Sequence, residues 1–259
     1  MKLAKRAVCL ALALFTVMTV LLSSIPVSAQ NVPIQDKLPE GYKGVNITRH
    51  EGSYEWQNGI KYTYKFDFSM TRKSYYTIHE ALSVENEENM IVDDGTLRVE
   101  DGKTLMFGSS VGLGDDYGLE KGYASFDLCL NGGTVNVGVR TSETGVTNEA
   151  RGLWFAIEGS GSVKISEPEC GIEATVNFDC DFSSAKNVKV CENVDSIVLE
   201  CDGRTVAKVS YDKKGKLEVF DASGNSVAST DECKLYTSGY VQLYIEGLDG
   251  YIDNFEFTH

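Results

Sequence analysis

The sequence predicts an all-β fold, a two-sheet antiparallel β-sandwich of the jelly-roll kind. Three observations predict it. Apolar residues recur at every second position in short runs, and Gly, Asn and Asp punctuate the runs about every 8–15 residues. The third is the lack of any long stretch of helical period, in a chain with only four prolines.

The chain opens on Lys2, Lys5 and Arg6, followed by an uncharged apolar run from Ala7 to Leu22 and by Val27-Ser28-Ala29. This is the layout of a secretory signal, residues 1–29, cut after Ala29. The alternative is a membrane anchor, for which the run is short. Residues 30–53 are polar and irregular, with Pro33 and Pro39, and are expected to lie over the surface or to form an edge strand. Residues 54–259 read as one β-sandwich domain, without an internal repeat or linker.

Within that domain Phe126, Leu128 and Leu130 make one apolar phase, and Val135, Val137 and Val139 a second. Leu153, Phe155 and Ile157, then Val241, Leu243 and Ile245, make two more. Each phase predicts a strand with one face on the core and one on solvent. Asp94-Gly95, Asp101-Gly102, Asn131-Gly132-Gly133, Gly159-Ser160-Gly161, Asp202-Gly203, Gly224-Asn225 and Asp249-Gly250 are turn formers, since Gly and Asn accept positive φ. A short helix is expected around His79 to Glu88. A tight turn at Asn193-Val194 sets Val190 opposite Ile197, Val188 opposite Leu199 and Cys191 opposite Ser196, which argues against a Cys191–Cys201 disulfide.

The formal net charge is -14. Removing the three basic residues of the signal leaves 21 basic against 38 acidic side chains, a charge of -17. Such a surface repels nucleic acid and anionic lipid or polysaccharide and leaves neutral glycans, cations or proteins as partners. Six cysteines remain after cleavage: Cys129, Cys170, Cys180, Cys191, Cys201 and Cys233. They admit fifteen pairings, and free buried thiols are the alternative. No C-x-x-C occurs and there are three histidines, so a structural zinc is not expected.

Three stretches carry a family resemblance. Ser196 to Val206, with its Asp202-Gly203 turn, resembles a hairpin of concanavalin A-like and laminin G-like jelly rolls. Gly239 to Ile245 followed by Tyr251-Ile-Asp253-Asn254-Phe255-Glu-Phe257 resembles their closing pair of strands. Tyr123 to Thr141 is similar to the central hairpin of a bacterial branch that includes carbohydrate-binding modules and 3-keto-disaccharide hydrolase-type domains. The resemblance implies two stacked sheets with a glycan on an outer sheet face; it does not settle function, because the fold serves lectins, adhesion modules and hydrolases.

Chemistry-bearing patterns are sparse. Gly108-Ser109-Ser110-Val111-Gly112 fits G-x-S-x-G, but Leu113-Gly114-Asp115-Asp116 follows where a helix is required, and His259 is the only later histidine. No E-x-D-x-E run supplies paired carboxylates on a strand face; Glu85-Asn86-Glu87-Glu88 reads as a solvated cluster. His50 and His79 lack partner spacing. Asp115, Asp116 and Asp253 are the candidate oxygen ligands for a structural calcium, with the alternative that Asp253-Asn254 bonds its own backbone.

Sugar binding asks for an exposed aromatic ring beside planar hydrogen-bonding side chains. The polar phase of the central strands offers Asn136 and Arg140 on one and Trp154 and Glu158 on the next. Tyr240, Gln242 and Tyr244 come from a later strand. The alternatives are a Trp154 half-buried beneath a loop and an Arg140 paired with an acid. The reading is a secreted, non-catalytic, lectin-like domain recognising a neutral oligosaccharide or polysaccharide. A secreted glycoside-active enzyme and an adhesion protein that binds another protein are the alternatives.

Overall fold

The computed structural model describes residues 47–53, 60–66, 82–93, 95–109, 113–114, 122–143, 145–193, 195–212, 214–233, 235 and 238–258. The signal segment 1–29, His79, Asp115, Asp116 and Ser110 lie outside the described residues. Everything described belongs to the compact unit Leu38–His259, and no helix among the described residues is long and apolar enough to cross a membrane.

Among the described residues seventeen strands follow in order: β1 Ile47–Ser53, β2 Ile60–Phe66, β3 Leu82–Glu85, β4 Met90–Asp93, β5 Thr96–Val99, β6 Thr104–Ser109, β7 Leu113–Gly114, β8 Tyr123–Thr141, β9 Leu153–Glu158, β10 Ser162–Glu167, β11 Ile172–Asn177, β12 Lys186–Glu192, β13 Ser196–Cys201, β14 Arg204–Tyr211, β15 Leu217–Asp221, β16 Ser226–Thr230 and β17 Ser238–Thr258. All the pairings are antiparallel. β1 precedes the expected start of the domain and pairs with β2 as an edge strand.

Two layers result. The first runs β3-β6-β17-β8-β9-β10-β11, using the first half of β17 and the second half of β8. The second runs β1-β2-β17-β8-β12-β13-β14-β15-β16, using their other halves. β8 and β17 therefore cross from one layer to the other. Asn131-Gly132-Gly133 and Asp249-Gly250, expected as turns, are instead the bends of these two long strands.

The bends have a steric cause. Gly133 sits at φ 87° and Gly250 at φ 149°. A Cβ on Gly133 would strike the Gly247 carbonyl, and one on Gly250 the Cys129 carbonyl. Glycine is needed so that two backbones can cross closely while keeping their ladder, and a bend needs no reversal. The expected central hairpin and closing pair are each one bent strand.

The inner phases meet between the layers. Val135, Val137, Val139, Leu153, Phe155, Ile157, Val241, Leu243 and Ile245 all join one buried cluster with Phe126, Leu128 and Leu130. Phe107 of the first layer packs on Phe255 of the second with centroids 4.6 Å apart. The segment expected as a helix is strand β3 followed by a short 3-10 turn, Glu87–Asn89; Val84 packs on the core in a period-two setting.

The β12–β13 hairpin is wider than expected. Val190 faces Leu199, Val188 faces Cys201 and Cys191 faces Val198, with Asn193 N–H donating to the Ser196 carbonyl (2.8 Å). The register moves by two residues, so the same apolar side chains still face the core. Asp202-Gly203 is the two-residue turn expected, with φ 48° and 72°, and Cys201 faces Arg204 across it.

A disulfide, Cys170–Cys233, joins the β10–β11 turn to the segment after β16. It ties an edge of one layer to an edge of the other.

Candidate functional site

The outer face of the first layer collects six of the seven side chains expected to meet a ligand. Tyr244 on β17 pairs with Asn136 on β8, and Asn136 with Ala156 on β9. One step along, Gln242 pairs with Gly138, and Gly138 with Trp154. In the other direction Glu246 pairs with Thr134, and Thr134 with Glu158. Tyr240 continues the β17 phase.

Arg140 leaves this face. Between the Gln242–Gly138 and Tyr240–Thr141 pairs β8 carries one residue more than β17, and Arg140 takes φ 55°. This is a β-bulge, which puts two successive residues on one side. Arg140 reaches the second layer instead. Its Nε lies 3.4 Å from Glu192 Oε2 on β12, its Nη2 donates to the Tyr211 hydroxyl at 2.5 Å, and Tyr211 donates on to the Asn193 carbonyl (2.7 Å). Burial raises the Glu192 pKa against the opposing pull of Arg140. The acid partner foreseen as the alternative for Arg140 is thus Glu192.

The expected exposure of Trp154 is also corrected. The ring is 0% exposed, although it lies outside the inter-layer core cluster. It rests on Gly138, where a Cβ would come within 2.5 Å of Trp154 Cζ3. The loop 142–152 covers it, and Trp154 Nε1 donates to the Ala150 carbonyl (2.9 Å). The same loop closes on itself through Ser142 N–H to the Arg151 carbonyl (3.2 Å). It also sends Gly145 N–H to Gln242 Oε1 (3.0 Å), and Gln242 and Asn136 are themselves 0% exposed. Strand period places the indole outward correctly; a connection of eleven residues then hides it.

What stays accessible lies beside this loop. Tyr244 is half-buried and its hydroxyl donates to Glu246 Oε1 (3.1 Å). Asn136 Nδ2 donates to Glu246 Oε2 (3.2 Å) and to the Tyr244 carbonyl (3.0 Å). Asn148 of the loop donates from Nδ2 to Asn136 Oδ1 (3.0 Å). Burial, then the bond to Glu246, raises the Tyr244 pKa, so the phenol stays a donor. The result is a half-exposed ring beside an amide–amide–carboxylate chain whose members hold each other's orientation. Glu158 stands exposed on the neighbouring strand, accepting from Ser162 Oγ (2.7 Å). Tyr240 is half-buried beside Thr141, whose hydroxyl donates to the Tyr240 carbonyl (3.2 Å).

Sequence reading missed Glu246 and Asn148. Glu246 was findable, since it continues the Tyr240-Gln242-Tyr244 phase by one step. Asn148 carries no periodic signal because it lies in a loop.

Asp253 accepts from the Asn254 backbone N–H (2.7 Å) and side chain (3.3 Å), the local arrangement foreseen as the alternative to calcium. Asn254 also donates to Asp127 (2.8 Å). Among the described residues one group of potential metal donors gathers within 4.8 Å: Glu167, Cys170 and Cys233. Two of its three members are joined as a disulfide, which removes the thiolates a metal would need, and calcium prefers oxygen.

An open pocket of about 230 Å³ lies in the second layer, lined by Asp195, Ser210, Tyr211, Asp212, Lys216 and Glu218. It is smaller than the roughly 300–1,000 Å³ usual for small-molecule sites.

No protein-family model matches the chain, and no curated protein matches it. Solved structures do. A Bacillus subtilis protein of unknown function with a galectin-like fold is 10% identical, covering 82% of this chain and 98% of its own, with a TM-score of 0.54. A putative glycosyl hydrolase from Parabacteroides distasonis is 13% identical over 70% of this chain and 94% of its own (TM-score 0.49). The carbohydrate-binding module CBM66 from Bacillus subtilis is 12% identical over 83% and 96% (TM-score 0.37). The likeness to the first establishes the fold, a jelly roll of the galectin-like and concanavalin A-like kind. Carbohydrate-recognition and lectin-like domains recur among the neighbours.

Proposed function

We propose that this is a secreted, non-catalytic carbohydrate-binding domain that holds a neutral glycan against the outer face of the first layer. One observation carries the reading: the half-exposed Tyr244 ring stands beside the partly accessible Glu246 and Asn148, both held in place by the buried Asn136. A sugar's C–H face stacks on such a ring while its hydroxyls exchange bonds with planar amides and carboxylates. Preorganised side chains lose little freedom on binding. The acidic balance of the chain favours neutral over anionic glycans. The basic start, apolar run and small-residue site at residues 1–29 support export.

The test is an array of neutral hexose oligosaccharides probed with residues 30–259 and with the Tyr244→Ala variant. Retention by the wild type, lost at least tenfold in the variant without a fall in melting temperature beyond a few degrees, is the expected result. Equal retention by both would sink the assignment of the face. Running the array with and without chelator tests calcium bound through Asp115, Asp116 and Asp253; the calcium proposal expects weaker retention when the ion is removed.

A second reading rests on one further observation. Glu158 and Glu246 flank Thr134 from opposite sides, which places their Cα atoms roughly 10 Å apart at ordinary strand spacing. Inverting glycosidases place one carboxyl group on either side of the scissile bond, and two glutamates on one sheet face with a single strand between them is a backbone arrangement from which such a pair could reach across a sugar. Hydrolysis of a neutral oligosaccharide that disappears in both Glu158→Gln and Glu246→Gln would favour this reading over the non-catalytic one.

A further inference from the structure

Four cysteines among the described residues are free: Cys129, Cys180, Cys191 and Cys201. Two of them meet. Cys180 lies in the irregular connection between β11 and β12, Cys201 ends β13, and their sulfurs are 2.8 Å apart. That is about 0.8 Å beyond the bonded separation of about 2.0 Å.

The surroundings hold the pair together. Phe182 plugs the core two residues after Cys180 and its carbonyl accepts from Leu130 N–H (2.9 Å). Arg204, facing Cys201 across its turn, donates to the Asp179 carbonyl (3.2 Å). The other two thiols are placed elsewhere. Cys129 donates to the Ser183 carbonyl (3.6 Å). Cys191 pairs with Tyr123 and Val198 on the outer phase of β12, whereas Cys201 faces inward.

We propose that Cys180 and Cys201 are the site of a second disulfide, which fastens the β11–β12 connection to the end of β13 and leaves Cys129 and Cys191 as thiols. The oxidant is a low-molecular-weight disulfide. The partly exposed Cys180 attacks it as thiolate, forming a mixed disulfide and expelling one small thiolate. Cys201 then loses its proton, attacks the Cys180 sulfur and expels the second. Two protein thiols lose two electrons and two protons, and one small disulfide becomes two small thiols. Burial is the main reason that the reduced Cys201 thiol is pushed up to about 12, so the second step is slow in neutral solution and faster as pH rises.

The folded protein is incubated with excess oxidised glutathione, unfolded without reductant in the presence of N-ethylmaleimide, and digested after glutamate. A second cleavage after lysine divides Cys180 from Cys191 at Lys186, Glu173 separates Cys170 from Cys180, and Glu192 separates Cys191 from Cys201, so every pairing gives a distinct peptide. The expected result is a Cys180–Cys201 cross-linked peptide lighter by two hydrogens than its reduced parts, with maleimide on Cys129 and Cys191. Cys170–Cys233 serves as internal control for oxidation. Maleimide on both Cys180 and Cys201, a persistent glutathione adduct on Cys180, or a cross-link of either to Cys129 or Cys191 would each overturn the proposal. The result is independent of whether the protein binds a glycan.

Discussion

Trp154 and Arg140 sit on strands whose period is readable, and both end where period alone does not put them. Trp154 is outward by phase and hidden by a loop; Arg140 is outward by phase and turned inward by one extra residue. Neither fate has a period-two signature, because loops and bulges are decided by tertiary fit. Trp154→Ala is therefore expected to cost about 3–5 kcal/mol as a fully buried aromatic, lowering the melting temperature by roughly 10 °C. Thermal unfolding measures it, and a shift of under 2 °C would return the ring to the surface.

At Glu192 the sign of a pH effect follows from burial. Its folded pKa lies above the ordinary value of 4.5, so the folded state holds the proton more tightly than the unfolded chain. The stabilisation this lends is fully present below the unfolded pKa and disappears as pH rises through the folded one. Glu192→Gln has no such proton to lose. The melting temperature of the wild type minus that of Glu192→Gln should fall as pH is raised from 4 upward, whereas a difference flat in pH would place Glu192 in water.

Among the elements, the long bent strands β8 and β17 define the architecture. Their apolar phases were legible as Phe126-Leu128-Leu130, Val135-Val137-Val139 and Val241-Leu243-Ile245. Their continuity was not, because Gly132-Gly133 and Asp249-Gly250 have the composition of a turn whether the chain reverses or only bends. Gly133→Ala should destabilise by at least about 2 kcal/mol, from positive φ and the collision with the Gly247 carbonyl. If that glycine lay in an ordinary exposed turn, denaturant unfolding would show less than half this loss. The hairpin at Asn193 shows how far register can be read. Face was right because face depends on parity; the partner was off by two because loop length depends on local bonds such as Asn193 to Ser196.

Over the whole molecule, a jelly roll was legible from alternation and turn spacing. The disulfide was not, since six cysteines carry no pairing information until the two layers are stacked. Cys170 and Cys233 are 63 residues apart and close an edge of the sandwich. Chain entropy assigns such a loop about 4 kcal/mol, so Cys233→Ser should melt roughly 10 °C lower than wild type. A variant as stable as wild type would mean that the layers need no such tie.

The proposed glycan face is the Tyr244 side of the outer sheet, with Trp154 sealed beneath the connection that carries Ala150. Hydroxyl-radical footprinting, read by mass spectrometry with and without a glycan retained on the array, tests both halves together. Tyr244 should be oxidised in the free protein and protected by the glycan, with Trp154 unreactive in either state. Protection confined to the second layer, or a Tyr244 oxidised equally with glycan bound, would contradict it.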